Sequence, residues 1–352
     1  MMKPRIDVFC HKWHLNQSPA FDDMLISPLS EVASIETKAI DDTAVNWLRV
    51  GLDRPAVFCQ WLPPREVLVD SRRRLVWLPM WDSVWFYSSS WWARLPRHLR
   101  IIVFSDAIAE KVVNISANTC KVKYFKNPSM FERVNNTFST MFYWNRTNMF
   151  AASSLCAICR HACVDKLILL DVPDPGYMRY DQQELVAISR NVRLELHQRF
   201  MSRPEYFHVS EEATLLLSPR LREGVGMAFL EALARGNGVV AVDGATMNEY
   251  IVDGFNGRLI PGNAIKLRKM THIAFTLEAI CRSIPRLRWR AEAFLLGQAS
   301  RPDIPLRGDT DWSFLADTDW ARIGRKAKES HCCGFVSWTQ DIDRLRDFVL
   351  NW

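Results

Sequence analysis

No stretch of this 352-residue sequence approaches the roughly 20 consecutive apolar residues that cross a bilayer. The opening segment, MMKPRIDVFCHKWH, contains no long apolar run leading to a small-residue cleavage site, so no export signal is read there. Nine cysteines, an odd number scattered along a long chain, do not make a disulfide framework. These absences predict a cytoplasmic protein in a reducing compartment, where a sequon such as Asn145-Arg-Thr147 carries no glycan. A strong excess of either charge is lacking as well, with 45 Lys and Arg against 39 Asp and Glu. A formal net charge of +6 favours an anionic partner (a nucleotide diphosphate, a nucleic acid or an acidic membrane) without selecting among them. Apolar residues at 48% and charged residues at 24% match the globular average, which excludes a largely disordered chain. The length suits two ordinary domains better than one.

Short apolar runs bounded by polar or turn residues recur in both halves, as buried parallel strands should. In the first half they are Ile6–Cys10, Ala56–Cys59, Leu75–Leu78 and Ile101–Phe104, with Lys123–Phe125 a weaker candidate. In the second they are Met141–Trp144, Leu167–Leu170, Leu215–Leu217 and Val239–Val242. Helix-compatible stretches lie between them, so each half reads as βαβ units on a parallel sheet, an α/β fold. The boundary is placed in the polar run Glu132–Thr137, giving a first domain over 1–137 and a second over 138–334. Apolar residues at helical spacing from Trp338 to Val349 predict a terminal amphipathic helix within 335–352. The segment from about 262 to 330 is read as irregular, its repeated Asp-Thr-Asp-Trp (309–312 and 317–320) as a pair of loops.

The chemistry concentrates in LLLSPRLREGVGMAFLEALARGNGVVAVDGATMNEYIVDGFNGRLIP, residues 215–261. A buried strand ends at Ser218-Pro219, and a loop carries Glu223-Gly224-Val225-Gly226. A helix of good formers then runs from Met227 until Gly236 stops it. Glycines ahead of a helix let a ligand approach the backbone, and the free N–H groups and helix dipole favour an anion there. Glu223 and Glu231 stand eight residues apart, which at about 100° per residue leaves them roughly 80° from the same side. Carboxylates so placed can accept hydrogen bonds from sugar and ribose hydroxyls while the helix end holds phosphate. Two glutamates near a helix are common by themselves; the complete string is what makes the pattern informative.

That string resembles the donor-binding signature of the retaining GT-B glycosyltransferases of "group 1", whose motif is Glu, seven residues, Glu. Glu223 and Glu231 match it in register, and DGATMNEYIVDGFNGRLI is similar to the strand-loop-helix that closes the family's diphosphate site. The subgroup it most resembles acts in bacterial surface-polysaccharide synthesis, including lipopolysaccharide. Gln60-Trp-Leu-Pro-Pro64, Leu78-Pro-Met-Trp-Asp82-Ser83 and Tyr143-Trp-Asn-Arg146 lie where that subgroup carries similar short motifs. The resemblance implies two Rossmann-like domains with parallel sheets facing a cleft, an acceptor-side first domain, a nucleotide-sugar-binding second domain, and a C-terminal helix crossing back to the first. It also implies roles. Glu223 would contact the donor sugar near the reacting carbon, and Glu231 would hold the ribose hydroxyls. Backbone amides of Gly224, Val225, Gly226 and Met227, and of Thr246 and Met247, would hold sugar hydroxyls and diphosphate. Arg146 would neutralise phosphate, and the segment around Val209 (Phe207–Ser210) would face the base.

Two departures stand out. The family usually follows that arginine with a lysine five or six residues on, whereas positions 151 and 152 are alanines here. Either Arg220, Arg222 or Lys166 substitutes, or donor binding is weakened. The family's glycine-rich loop after the first strand is replaced by Cys10-His-Lys-Trp-His-Leu-Asn16. His11, His14 and Asp82 are the acceptor-side candidates because they fall at or near strand ends, where α/β folds gather ligands.

Other clusters are weighed against simpler explanations. Cys156, Cys159, His161 and Cys163 have metal-like spacing, but the cysteine spacing is also that of one buried helix face, and core packing is expected. Neither a metal nor a cofactor is expected. Six tryptophans between Trp61 and Trp92, interleaved with arginines, would suit a membrane interface or stacking on acceptor sugars, though ordinary core with solvated charge accounts for them equally. No nucleic-acid module is present. The expected activity is a retaining, metal-independent transfer from a nucleotide-sugar donor to a lipid-linked or growing glycan, with peripheral contact at the inner membrane face. The alternatives are a nucleotide-sugar epimerase or phosphorylase of the same fold, or a non-catalytic interaction protein.

Overall fold

Central strands of both halves form where continuous apolar runs can be buried on two faces. The computed structural model describes residues 3–17, 20–40, 42, 45–85, 87–112, 118–131, 137–147, 149–174, 177–218, 220, 222–260 and 311–352. The chain divides into two compact units. The first comprises Met1–Asn127, Arg222–Met227 and His331–Trp352, and the second comprises Pro128–Leu221 and Ala228–Ser330. Most of the expected boundary run, residues 132–136, and the stretch 261–310 lie outside the described residues.

The first unit carries a six-stranded parallel sheet in the order β2-β1-β3-β4-β5-β6. Its strands are β1 (Arg5–Cys10), β2 (Ser34–Ala39), β3 (Ala56–Cys59), β4 (Leu75–Leu78), β5 (Arg100–Val103) and β6 (Thr119–Lys121). The second unit has its own six-stranded parallel sheet, ordered β12-β11-β10-β7-β8-β9. Here the strands are β7 (Thr140–Trp144), β8 (Lys166–Leu170), β9 (Arg193–His197), β10 (Leu215–Leu217), β11 (Gly238–Val242) and β12 (Arg258–Ile260). In both sheets helices lie between most successive strands, so the expected α/β fold of two parallel sheets is present.

Three readings need correction. The sixth strand is Thr119–Lys121; Lys123–Phe125 lies outside it, and buried Tyr124 instead packs edge-on against Trp338 at 5.3 Å. The C-terminal helix is not confined to 335–352. It runs continuously from Trp320 to Leu350, so the second Asp-Thr-Asp-Trp leads into a helix, while the first begins outside the described residues. Its early part was hard to read because Gly324 and Gly334, poor helix formers, stand where a side chain would collide. A Cβ on Gly324 would come within 2.7 Å of Phe138 in the second unit. In the first unit one on Gly334 would run into the Phe125 ring.

Third, Cys163 does not share a helix face with Cys156 and Cys159. The helix ends at His161, and Cys163 is exposed with a φ of 54°. Cys156 and Cys159 are buried, and burial pushes the Cys159 thiol up to about 12. The tryptophans pack into the first unit's core, as the simpler account of them expects. Trp77 and Trp92 are fully buried in a core with Phe9, Phe58 and Leu99, Trp91 and Trp81 pack against it, and none of the six between 61 and 92 is exposed. Trp91 stacks on Tyr87 at 3.8 Å. Among the described residues, no helix is long and apolar enough to cross a membrane.

Candidate functional site

In the first unit, the carboxyl ends of β1, β3 and β4 bring four polar side chains together. The helix Lys12–Gln17, following β1, presents His14. Gln60 directly follows β3, and the helical turn Trp81–Val84, just beyond β4, presents Asp82 and Ser83. His14 Nε2 lies 2.8 Å from Gln60 Oε1, the Gln60 amide donates to Ser83 Oγ, and Ser83 Oγ donates to Asp82 Oδ1 at 3.2 Å. The segment 222–227 lies against this end of the sheet. A Cβ built on Gly224 would be 3.2 Å from Met80 and 3.3 Å from Asp82 Oδ1, so the Gly224 backbone passes close to the Asp82 carboxylate with room for little more than a hydrogen between them. Arg222 stacks on Trp85 at 3.7 Å, and burial pulls its guanidinium below its ordinary value. Glu223 is half-buried, Val225 is buried, and Gly226 has a φ of 81°, a left-handed turn that glycine adopts without penalty.

The second unit supplies the other half of the candidates. After β10 come Ser218 and Arg220; after β7 come Asn145 and Arg146. These strands are neighbours in the sheet, so both arginines leave the same edge. They converge on one carboxylate. Arg146 Nε and Nη2 each reach Asp174 Oδ1 at 3.0 Å, and Arg220 Nη2 reaches Oδ2 at 2.5 Å. Arg146 also lies over Trp144 at 4.6 Å. Two cations held by one anion keep a net positive charge at the strand ends, as a phosphate site requires. Lys166 cannot be the missing cation. It opens β8 at the amino end of the sheet, where Glu195 (2.6 Å) and Glu212 (2.5 Å) hold it.

The helix Met227–Arg235 follows the glycine loop, and Gly236, with a φ of 77°, ends it. Glu231 is buried on that helix at 5% exposure. Beyond β11, Thr246 and Met247 are fully buried at the start of the helical turn Met247–Tyr250. Val209 is half-buried within the helix Arg203–Glu212, not on a loop, so its amide belongs to a helical turn. Neighbouring Phe207 is engaged by the Arg235 guanidinium at 5.8 Å. Among the described residues, no three His, Cys, Asp or Glu side chains converge as metal ligands do.

The sequence reading thus named His14, Asp82, Arg146 and Arg220 but missed the groups that connect them. Gln60 and Ser83 were in view as parts of short motifs. Asp174 gave no signal, because a carboxylate in a loop acquires meaning only when two arginines fold onto it.

Residues 180–270 match the family model of the glycosyl transferases group 1. No curated protein sequence matches. Among solved structures, HepE from Anabaena in complex with UDP and glucose superposes with a TM-score of 0.56 at 14% identity, covering 97% of this chain and 99% of that one. Sucrose-phosphate synthase from Thermosynechococcus elongatus gives 0.59 at 13% identity, with 97% of each chain covered. WaaG, a glycosyltransferase involved in lipopolysaccharide biosynthesis, gives 0.54 at 12% identity over 99% of this chain and 100% of its own. The matched region holds both glutamates and the glycine loop, and the two parallel sheets are those of the GT-B glycosyltransferase fold.

Proposed function

We propose that this protein is a retaining, metal-independent glycosyltransferase that moves a sugar from a nucleoside-diphosphate donor to a lipid-linked or growing glycan. The observation that carries the reading is the Glu223–Glu231 pair bracketing the start of the Met227–Arg235 helix, inside the region that matches the group 1 model. HepE binding UDP and glucose supports a nucleotide-sugar donor, and the role of WaaG in lipopolysaccharide supports a surface-glycan acceptor.

In this reading Arg146 and Arg220 neutralise the diphosphate, which stabilises it as a leaving group. The amides of Gly224–Met227 add hydrogen-bond donors at the helix start, where the dipole favours negative charge. Glu231 holds the ribose hydroxyls, and Glu223 positions the donor sugar. No separate base is required, because the departing phosphate oxygen takes the acceptor proton on the face from which it leaves. The bond broken is sugar carbon to phosphate oxygen, the bond formed is sugar carbon to acceptor oxygen, and the configuration is kept.

The test is nucleotide release from a panel of nucleotide sugars, with a glycan acceptor and a chelator present. Acceptor-stimulated release by the wild type, abolished in a folded Glu223→Ala variant, is expected. Wild-type turnover in that variant would remove the role assigned to Glu223, and dependence on a divalent ion would overturn the metal-independent part.

A further inference from the structure

Gln60 is a non-glycine residue with a φ of 69°. The Trp61 N–H donates to the Cys59 carbonyl at 2.8 Å, so Gln60 is the centre of a three-residue turn in its rare left-handed form. Such a conformation costs about 1–3 kcal/mol and persists only where the surroundings over-determine it. Here they do. The Gln60 N–H donates to the Leu78 carbonyl at 2.7 Å, and its own carbonyl accepts from Trp77 Nε1 at 3.3 Å. Its side-chain oxygen faces His14, and its amide nitrogen faces Ser83. A strained turn is thus retained so that one side chain can span the ends of three strands.

Chemistry fixes the direction of the resulting chain of hydrogen bonds. An ionised Asp82 only accepts, so Ser83 must donate to it, and the Ser83 oxygen is left to accept. Its donor is therefore the Gln60 NH2 group, which turns the Gln60 oxygen towards His14. A carbonyl oxygen only accepts, so the proton of a neutral His14 is on Nε2 and its lone pair is on Nδ1. We infer that Gln60 is a positioning residue for the acceptor, linking Asp82 to His14 so that the carboxylate and the imidazole are presented in one orientation and one tautomer. This inference rests on the transferase reading for its purpose, but the linkage itself does not. A side chain at Gly224 would meet the same Asp82 carboxylate, so the oriented pair stands close to the residue that precedes Gly224, Glu223, assigned to the donor sugar.

The test uses Gln60→Gly and Gln60→Asn in the full-length protein. Both residues adopt positive φ more readily than glutamine, so the turn and the fold are kept, and thermal melting verifies this. Neither can span from Ser83 to His14. In 15N-histidine NMR spectra, with the His14 signal assigned from a His14→Gln variant, the wild type is expected to show the Nε2-protonated tautomer, and both Gln60 variants a tautomer mixture. In transfer assays, losing two hydrogen bonds of about 0.5–1.5 kcal/mol each should raise the acceptor KM about tenfold or more, with donor KM changed by less than about twofold. An Nδ1-protonated His14 in the wild type, or an unchanged acceptor KM in a folded Gln60→Gly variant, would overturn the inference. Should the wild type turn over no donor, the transferase reading falls instead, and the tautomer measurement alone decides the linkage.

Discussion

Replacing Gly224 by alanine adds one methyl group where most, but not all, of the space for it exists. The new carbon would sit 3.2 Å from the Cβ and Sδ of Met80 and 3.3 Å from Asp82 Oδ1. Carbon contacts are most favourable at about 3.5–4.0 Å, so the loop must recede by a few tenths of an ångström. Its backbone is not among the left-handed positions, so alanine fits the conformation, and the gain of about 0.4–1 kcal/mol from a stiffer unfolded chain offsets the squeeze. The melting temperature should therefore move by no more than about 3 °C. Activity should move further, because Glu223 is the next residue. A displacement of 1 Å can cost about a hundredfold in rate, so a few tenths should lower kcat/KM by roughly three- to tenfold. Gly226→Ala is the contrasting control. With a φ of 81° it should lose about 1–2 kcal/mol and melt about 2–8 °C lower. Nucleotide-release kinetics and melting curves on both variants settle the matter. A Gly224→Ala protein that melts and turns over like the wild type would refute the argument that this loop rests on Asp82.

Further predictions concern charge and packing. Arg220→Ala should weaken nucleoside-diphosphate binding by about 10- to 150-fold, the value of one or two hydrogen bonds to a charged group, while Lys166→Met should leave it unchanged; isothermal titration compares them. His331 is buried, donates from Nε2 to the Lys126 carbonyl at 2.7 Å, and is held down to about 4 chiefly by burial. Its folded value lies below the ordinary 6.5, so its neutral form is favoured by folding. The stability it contributes is complete above about pH 6.5 and falls away towards pH 4, by roughly 3 kcal/mol. Urea midpoints between pH 7 and 4 should show that slope, and a His331→Phe variant should flatten it. Gly236→Ala puts a side chain at a φ of 77° with the Gly324 carbonyl 3.0 Å away, and should cost at least about 1–2 kcal/mol by the same unfolding measurement.

What the sequence made legible depends on where each element lies in its sheet. Strands β1, β3, β4, β5, β7, β8, β10 and β11 are interior and apolar over most of their length, so each announces itself as a run. The edges do not. β2 is Ser-Ile-Glu-Thr-Lys-Ala, β9 is Arg-Leu-Glu-Leu-His and β12 has three residues; all three went unread, and the fourth edge, β6, was misplaced. Edge strands alternate and carry charge because one side meets no neighbour, which hides them among polar segments. The proposed donor half of the site was visible because its glycines and glutamates fall within one short stretch of sequence, residues 223–236. The His14–Gln60–Ser83–Asp82 chain was not, because its members come from three strands and meet only after folding. The missing lysine was visible as an absence, but which cation stands beside Arg146 needed the geometry, which places Arg220 on the same carboxylate and Lys166 at the far end of the sheet.

The measurement that bears most directly on the central claim is transfer from a radiolabelled nucleotide sugar to a glycan acceptor in the presence of a chelator, with the anomeric configuration of the product read by NMR. The account predicts a product with the donor's configuration, formed by the wild type and lost in a folded Glu223→Ala protein. A product of inverted configuration, or equal yield from that variant, would contradict it.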